Sequence, residues 1–304
     1  MTGRALPLSS RLSQRVVMAG LLWPALAVIL LFMVAPVAIM LVYSFLEPAT
    51  YGGVVWNFST AGYEQILFER DFLDDSLVFS ADYLWILWRS VLQAAIATLL
   101  CLLISVPTAY YIATRSDRAK TIWIFLITIP YWVNLLIRTI ALLFILRDDG
   151  PVNDVLMATG LVSAPVSLSY NGFAIGLGLV YSFLPYMVLP LYSAFERFDF
   201  KLLEAAYDLY ASRRIAFFRV VLPVMRPGLI AGGLLVFIPA IGSYLAPDIL
   251  GGGKTLMIGN LIGTQFQGAR NWPFGAALSM ILLSLTLIVL IWMARRAART
   301  KFNG

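Results

Sequence analysis

The stretch "KLLEAAYDLYASRRIAFFRVVLPVMRPG" (201–228) puts charge between two long apolar runs of a chain that otherwise avoids it. Glu204, Asp208 and Ser212 recur every four residues, so a helix gathers two carboxylates and a hydroxyl on one face. Carboxylates presented that way pair with guanidinium or ammonium groups on a partner surface. Leu202, Leu203, Ala206, Leu209 and Tyr210 share another face by i, i+3, i+4 and i+7 spacing. The run "EAA" favours helix. "RRIAFFRVVLP" continues helically until Pro223, which breaks the helix or opens the next one. The spacing therefore predicts two short helices across a membrane face. An interfacial connector and a docking element for a soluble partner both fit that pattern.

Three other features invite a chemical reading. Arg138 is the one clear charge inside an apolar run. A lone arginine at mid-bilayer costs ~2.5–3.5 kcal/mol, so it faces protein or water, or snorkels outward. Along a continuous helix it lies roughly 12 Å below the outer end of its span. Backbone carbonyls, Asp148 and Asp149 are its candidate partners, in a structural role. "GGGKT" (251–255) suggests a phosphate-binding loop, but Asp248 stands where the first glycine is required and an apolar membrane run precedes it. A flexible glycine-rich outer loop is the better expectation. Metal chemistry is disfavoured, since the chain has no histidine and only Cys101. Cys101 lies in an apolar run and reads as a packing residue.

The elements that position these groups are membrane spans. The chain has 304 residues, 61% hydrophobic and 12% charged, against ~25% charged in ordinary soluble domains. Six runs reach the ~20 residues a span needs. They lie within 16–45, 91–112, 122–146, 173–191, 229–245 and 274–293. With the N-terminus in the cytoplasm, 16 of the 22 basic residues fall inside, which sets N-in, C-in. That division puts 201–228 in the cytoplasm. A net charge of +6 then fits an anionic inner leaflet, and no nucleic-acid motif accompanies it. The domain division is a tail, first span and long periplasmic loop (1–90), a five-span core (91–293) containing the cytoplasmic loop (192–227), and a basic tail (294–304). Within the outer loop, 59–75 reads as a short helix capped by Ser59 or Thr60. Pro130, Pro185, Pro190 and Pro239 are candidate kinks. Gly172 and Gly176 stand at a spacing that allows close helix packing.

"EAAYDLYAS", then "LP" and "PG", resembles the EAA loop of binding-protein-dependent ABC importer permeases. "IPYWVNLLIRTIALLFIL" (129–146), "GLVYSFLPYMVLPLYSAFERFD" (178–199), "GGLLVFIPAIGSYLAPDILGGG" (232–253) and "NWPFGAA" (271–277) resemble the polyamine, spermidine/putrescine branch. The resemblance implies an all-α, six-span type I (MetI-like) permease in the bacterial inner membrane. It implies a heterodimer with a second permease subunit, two ATP-binding subunits and a periplasmic substrate-binding protein. Catalysis and cofactors would lie outside this chain, with ATP and Mg held by the ATP-binding subunits. By resemblance, Glu204, Ala205, Ala206, Asp208 and Ser212 are docking positions for those subunits. The family pattern usually has glycine where Tyr210 stands, so Tyr210 must adopt an ordinary conformation or accept strain. A polyamine pathway needs aromatic faces and acids. Candidates are Tyr131, Trp132, Tyr181, Tyr186 and Tyr244, with Asp248. Anchoring at the membrane interface is the alternative role of these aromatics. Other substrates of the class are an opine, an aminophosphonate or ferric iron. An ion-coupled secondary transporter is the rival from another class.

Overall fold

The structure is a computed structural model that describes residues 22–70 and 77–301, with only the backbone described at 70, 294 and 296–301. Among the described residues, five helices are long and apolar enough to cross a membrane. They are α1 (Leu22–Tyr43), α3 (Asp82–Ala113), α7 (Gly172–Glu196), α9 (Arg213–Ile241) and α12, of which Trp272–Met293 is the apolar part. Shorter helices complete the chain: α2 (Ala61–Glu64), α4 (Asp117–Trp132), α5 (Leu135–Leu146) and α6 (Pro151–Ala158). After α7 come α8 (Lys201–Asp208), α10 (Leu245–Leu250) and α11 (Ile258–Gln267). Two antiparallel hairpins, β1–β2 (Leu46–Pro48, Val54–Phe58) and β3–β4 (Phe68–Arg70, Leu77–Phe79), follow α1. The start of the first predicted span, before residue 22, lies outside the described residues.

The centre is a three-helix pack of α3, α7 and α9, flanked by α1 against α12. Small residues set the spacing. Ala94, Ala97, Cys101, Ser105 and Ala109 form the fully buried stripe of α3, so Cys101 is the packing residue expected. Gly172 and Gly176 both face Gln93 of α3, whose Nε2 donates to the Gly172 carbonyl at 3.0 Å. Their close approach is therefore made within the chain.

Three expectations need correction. The third span is not one helix. α4 stops at Trp132, and the chain resumes as α5 after a 92° bend. Pro130 lies inside α4, and the break comes where Val133 turns extended at ψ 136°; Asn134 then starts α5 by accepting the Leu136 N–H at 2.8 Å. Counted with α4, α5 and α6 as one bent span, the described residues hold six. The second short helix of the 201–228 stretch is the beginning of α9, which runs unbroken to Ile241. A π-turn at Phe217–Val221 shifts the hydrogen bonds one residue back just before Pro223. The missing proline N–H is thereby absorbed without a break. In the outer loop the helix spans only Ala61–Glu64, and Phe68–Arg70 pairs as a strand instead; the part of the predicted helix at 71–76 lies outside the described residues.

The glycine-rich segment 251–255 forms a turn exposed at 252–254, and its flanks are packed, with Leu250, Met257 and Ile258 fully buried. α3 fastens the following flank. The Arg89 guanidinium donates to the Leu256 carbonyl, and Ser90 Oγ accepts the Ile258 N–H at 2.8 Å. That N–H is an orphan of the first turn of α11. Ser90→Ala leaves it buried and unpaired, so we expect a stability loss of ~1–3 kcal/mol, read as a lower thermal midpoint of the solubilised chain.

"NWPFGAA" forms the opposite anchor. Asn271 Oδ1 accepts the Phe274 N–H at 3.2 Å, and Trp272 stacks on Tyr43 of α1 at 6.4 Å. Phe274 is fully buried, edge-on to Tyr83 of α3 at 4.9 Å. One motif thus ties α1, α3 and α12 together.

Candidate functional site: an exposed acidic helix and a buried arginine–tyrosine cluster

α8 is fixed at its root and open along its length. Its start is held by the Lys201 N–H bonding to Asp199 Oδ1 at 3.0 Å, and Leu203 is buried beneath it. The root is aromatic. Tyr110 of α3 meets Phe195 at 5.7 Å and Phe200 at 6.3 Å, and Phe198 meets Phe200 at 5.3 Å. Each such pair contributes ~0.5–1.5 kcal/mol beyond its buried area. α8 is therefore fastened to the ends of α3 and α7 together. Sequence reasoning passed over these residues, although three phenylalanines at 195, 198 and 200 just before the helix were the available signal.

The outward face carries Glu204, Ala205 and Asp208, with Ala206 half-buried. Among the described residues neither acid has an ion pair. The five-residue apolar face expected from spacing does not form. Leu203 is buried, but Leu209 is 82% and Tyr210 98% exposed. The reason is that the helix ends at Asp208, so residues 209 and 210 leave its spiral. Ser212 starts α9, its Oγ accepting the Ile215 N–H at 3.4 Å.

The turn between the helices is a Schellman motif. The Ala211 N–H bonds back to the Ala206 carbonyl at 3.0 Å and the Tyr210 N–H to the Tyr207 carbonyl at 2.9 Å. That geometry needs a left-handed residue, and Tyr210 supplies it at φ +58°. Of the two conformations open to Tyr210, the strained one is adopted, at a cost of ~1–2 kcal/mol. The hydrogen bonds fix to α8 the short turn that leads into α9. Midway along α9, Gly228 lies against α7, where a Cβ would come within 2.7 Å of the Ala194 Cβ. The glycine of "PG" is thus what lets the two helices touch.

The second cluster sits at the bend between α4 and α5. Arg138 is only 7% exposed. Its Nη1 donates to the Pro130 carbonyl at 3.3 Å, one of the carbonyls left open where α4 ends. Its guanidinium lies over the rings of Tyr131 at 5.0 Å and Tyr181 at 5.5 Å. The carbonyl alternative is therefore the one realised, and Asp149 pairs instead with Arg147 at 3.1 Å. The depth expected for a continuous span does not apply, because Arg138 belongs to the half-helix beyond the bend.

Of the six pathway candidates, three gather here. Tyr131 stands edge-on to Tyr186 at 5.0 Å, its hydroxyl donating to the Ser182 carbonyl, and Tyr181 lies across Arg138. Tyr181 and Tyr186 are each 42% exposed, so the cluster has an open side. Arg138 already occupies one face of Tyr131 and of Tyr181. Trp132 is separate and exposed, edge-on to Phe125 at 5.6 Å. Tyr244 packs on Gly263 of α11, and Asp248 is exposed on α10.

The sequence profile of the binding-protein-dependent transport system inner membrane component family matches residues 105–302. The chain belongs to that family. The matched region contains α8, the Schellman turn and the arginine–tyrosine cluster. This transport component is 43% identical over 220 residues to the spermidine/putrescine transport system permease protein PotB of Haemophilus influenzae, covering 72% of this chain and 77% of that one. It is 42% identical over 222 residues to PotB of Escherichia coli, covering 72% and 80%. Its fold matches the crystal structure of a bacterial ABC transporter that imports alginate. The TM-score is 0.74 at 13% identity, over 96% of this chain and 98% of the other.

Proposed function

We propose that this chain is the permease subunit of an ATP-driven importer that carries a spermidine- or putrescine-like polyamine across the bacterial inner membrane. The observation that carries the substrate class is the similarity to PotB proteins over nearly three quarters of the chain. The basic-residue distribution supports cytoplasmic termini, with α8 on the cytoplasmic side.

In this reading the chain catalyses nothing and holds no cofactor. ATP and Mg belong to two ATP-binding subunits, and a second permease subunit completes the pore. A loaded periplasmic binding protein docks on the side opposite α8. Closure of the ATP-binding subunits moves α8 through Glu204, Ala205, Ala206 and Asp208. The aromatic root passes that movement to α3 and α7, and the Schellman turn passes it to α9. The bend between α4 and α5 gives the pore wall a joint that a straight helix lacks. The open side of the tyrosine cluster then faces the shared pore. A polyamine meets the tyrosine edges and hydroxyls there, while the Arg138 charge stays covered by two rings. Tyr244 and Asp248 would sit on the same path at its outer end.

The test is ATP hydrolysis by the complete complex in nanodiscs. Spermidine, putrescine or a non-polyamine ligand is presented on the periplasmic binding protein. Stimulation by a polyamine alone supports the reading. Equal stimulation by the non-polyamine ligand, or by no polyamine, removes the substrate assignment and leaves an importer of another solute.

A further inference from the structure

Tyr210 holds a strained left-handed conformation at φ +58°, in which glycine would be unstrained. Strain of this kind persists where something compensates for it, and it concentrates at functional positions. Nothing within the described residues does so through the side chain. The ring is 98% exposed, with no aromatic or hydrogen-bond partner among those residues. Leu209 beside it is 82% exposed. The backbone beneath is fixed by the two Schellman hydrogen bonds at 2.9 and 3.0 Å, so the ring is presented from a rigid mount.

We propose that Tyr210 is a specificity-determining anchor, inserting with Leu209 into an apolar pocket of the ATP-binding subunit. This rests on the docking role of α8 given above. Tyrosine is enriched among the few residues that dominate interface energetics, and a preorganised turn lowers the ordering cost of binding. The surrounding charge is of both signs: Glu204 and Asp208 lie exposed on α8, and Arg213 and Arg214 lie exposed at the start of α9. An anionic leaflet attracts only the arginines and repels the acids, whereas a protein surface carrying both signs pairs with all four.

The experiment measures affinity of the purified ATP-binding subunit for the full permease pair in nanodiscs, together with the thermal midpoint of each variant. Tyr210→Gly is expected to keep or raise the thermal midpoint, because it relieves strain, yet to bind about 10-fold more weakly because an anchor is lost. Tyr210→Phe should bind within about 3-fold of the parent, since the apolar ring is retained. Undiminished binding by Tyr210→Gly overturns the proposal, as expected if the ring merely tolerates its strain or rests on lipid. Weakened binding that follows a fallen thermal midpoint also overturns it, since the role is then structural. Ala205→Trp separates the two levels. If this bulky change on the open face of α8 leaves affinity intact, the docking role itself fails. If it abolishes binding while Tyr210→Gly does not weaken it, only the anchor fails.

Discussion

Glu204→Lys should cut substrate-stimulated ATP hydrolysis of the assembled importer by about 30-fold or more. Glu204 sits in the first turn of α8, is exposed, and has no ion-pair partner among the described residues. The helix N-terminus favours a negative charge there and disfavours a positive one. That intramolecular effect is only ~0.3–1 kcal/mol, too small to unfold the helix. Against a basic partner surface the same change replaces an attraction by a repulsion. Breaking a desolvated interfacial charge pair costs ~2–5 kcal/mol, which sets the lower bound of the expected loss. Glu204→Gln removes the attraction without the repulsion and should fall between parent and Lys variant. The check is ATPase activity with loaded binding protein, alongside the thermal midpoint. Full stimulation of the Lys variant would show that Glu204 makes no coupling contact.

The second large effect is expected at Arg138. Arg138→Ala should destabilise the solubilised permease by ~2–4 kcal/mol, the balance of three terms. Two desolvated cation–π contacts are lost, the Pro130 carbonyl loses its donor, and a cavity opens between α5 and α7. Removal of a buried charge offsets part of this, because its desolvation penalty disappears. Arg138→Met separates the terms. It refills most of the volume without restoring charge or donor, so it should lose only ~1 kcal/mol relative to the parent. Thermal unfolding followed by intrinsic fluorescence reads both variants, and Arg138→Ala/Tyr181→Leu closes a double-mutant cycle. Parent-like stability in the Ala variant would mean that Arg138 does not hold the bend.

The sequence alone determined the class of molecule, the number of apolar runs and the location of the exposed acidic helix α8. These depend on composition and on short-range spacing. Apolar length decides what can sit in a bilayer, and the order Glu204–Ala205–Ala206 followed by Asp208 favours a helix with its acids on one face. Pro223 misled for a related reason. Proline's missing N–H is a local fact, but the π-turn that accommodates it depends on how α9 as a whole is packed.

Only the tertiary structure decided three matters. The 92° break between α4 and α5 lies between two apolar segments, and hydropathy records how apolar a residue is, not the direction its helix takes. The partners of Arg138 were equally hidden, since Tyr181 reaches it from α7 and the Pro130 carbonyl becomes available only because α4 ends. The setting of the glycine-rich loop after α9 was hidden too. Its following flank at Leu256 and Ile258 is tied down by Arg89 and Ser90 of α3, far away in the chain. In each case the deciding energy belongs to a contact between distant segments. A residue's own type states what it can bond or bury, and the folded arrangement decides which partner is there to receive it.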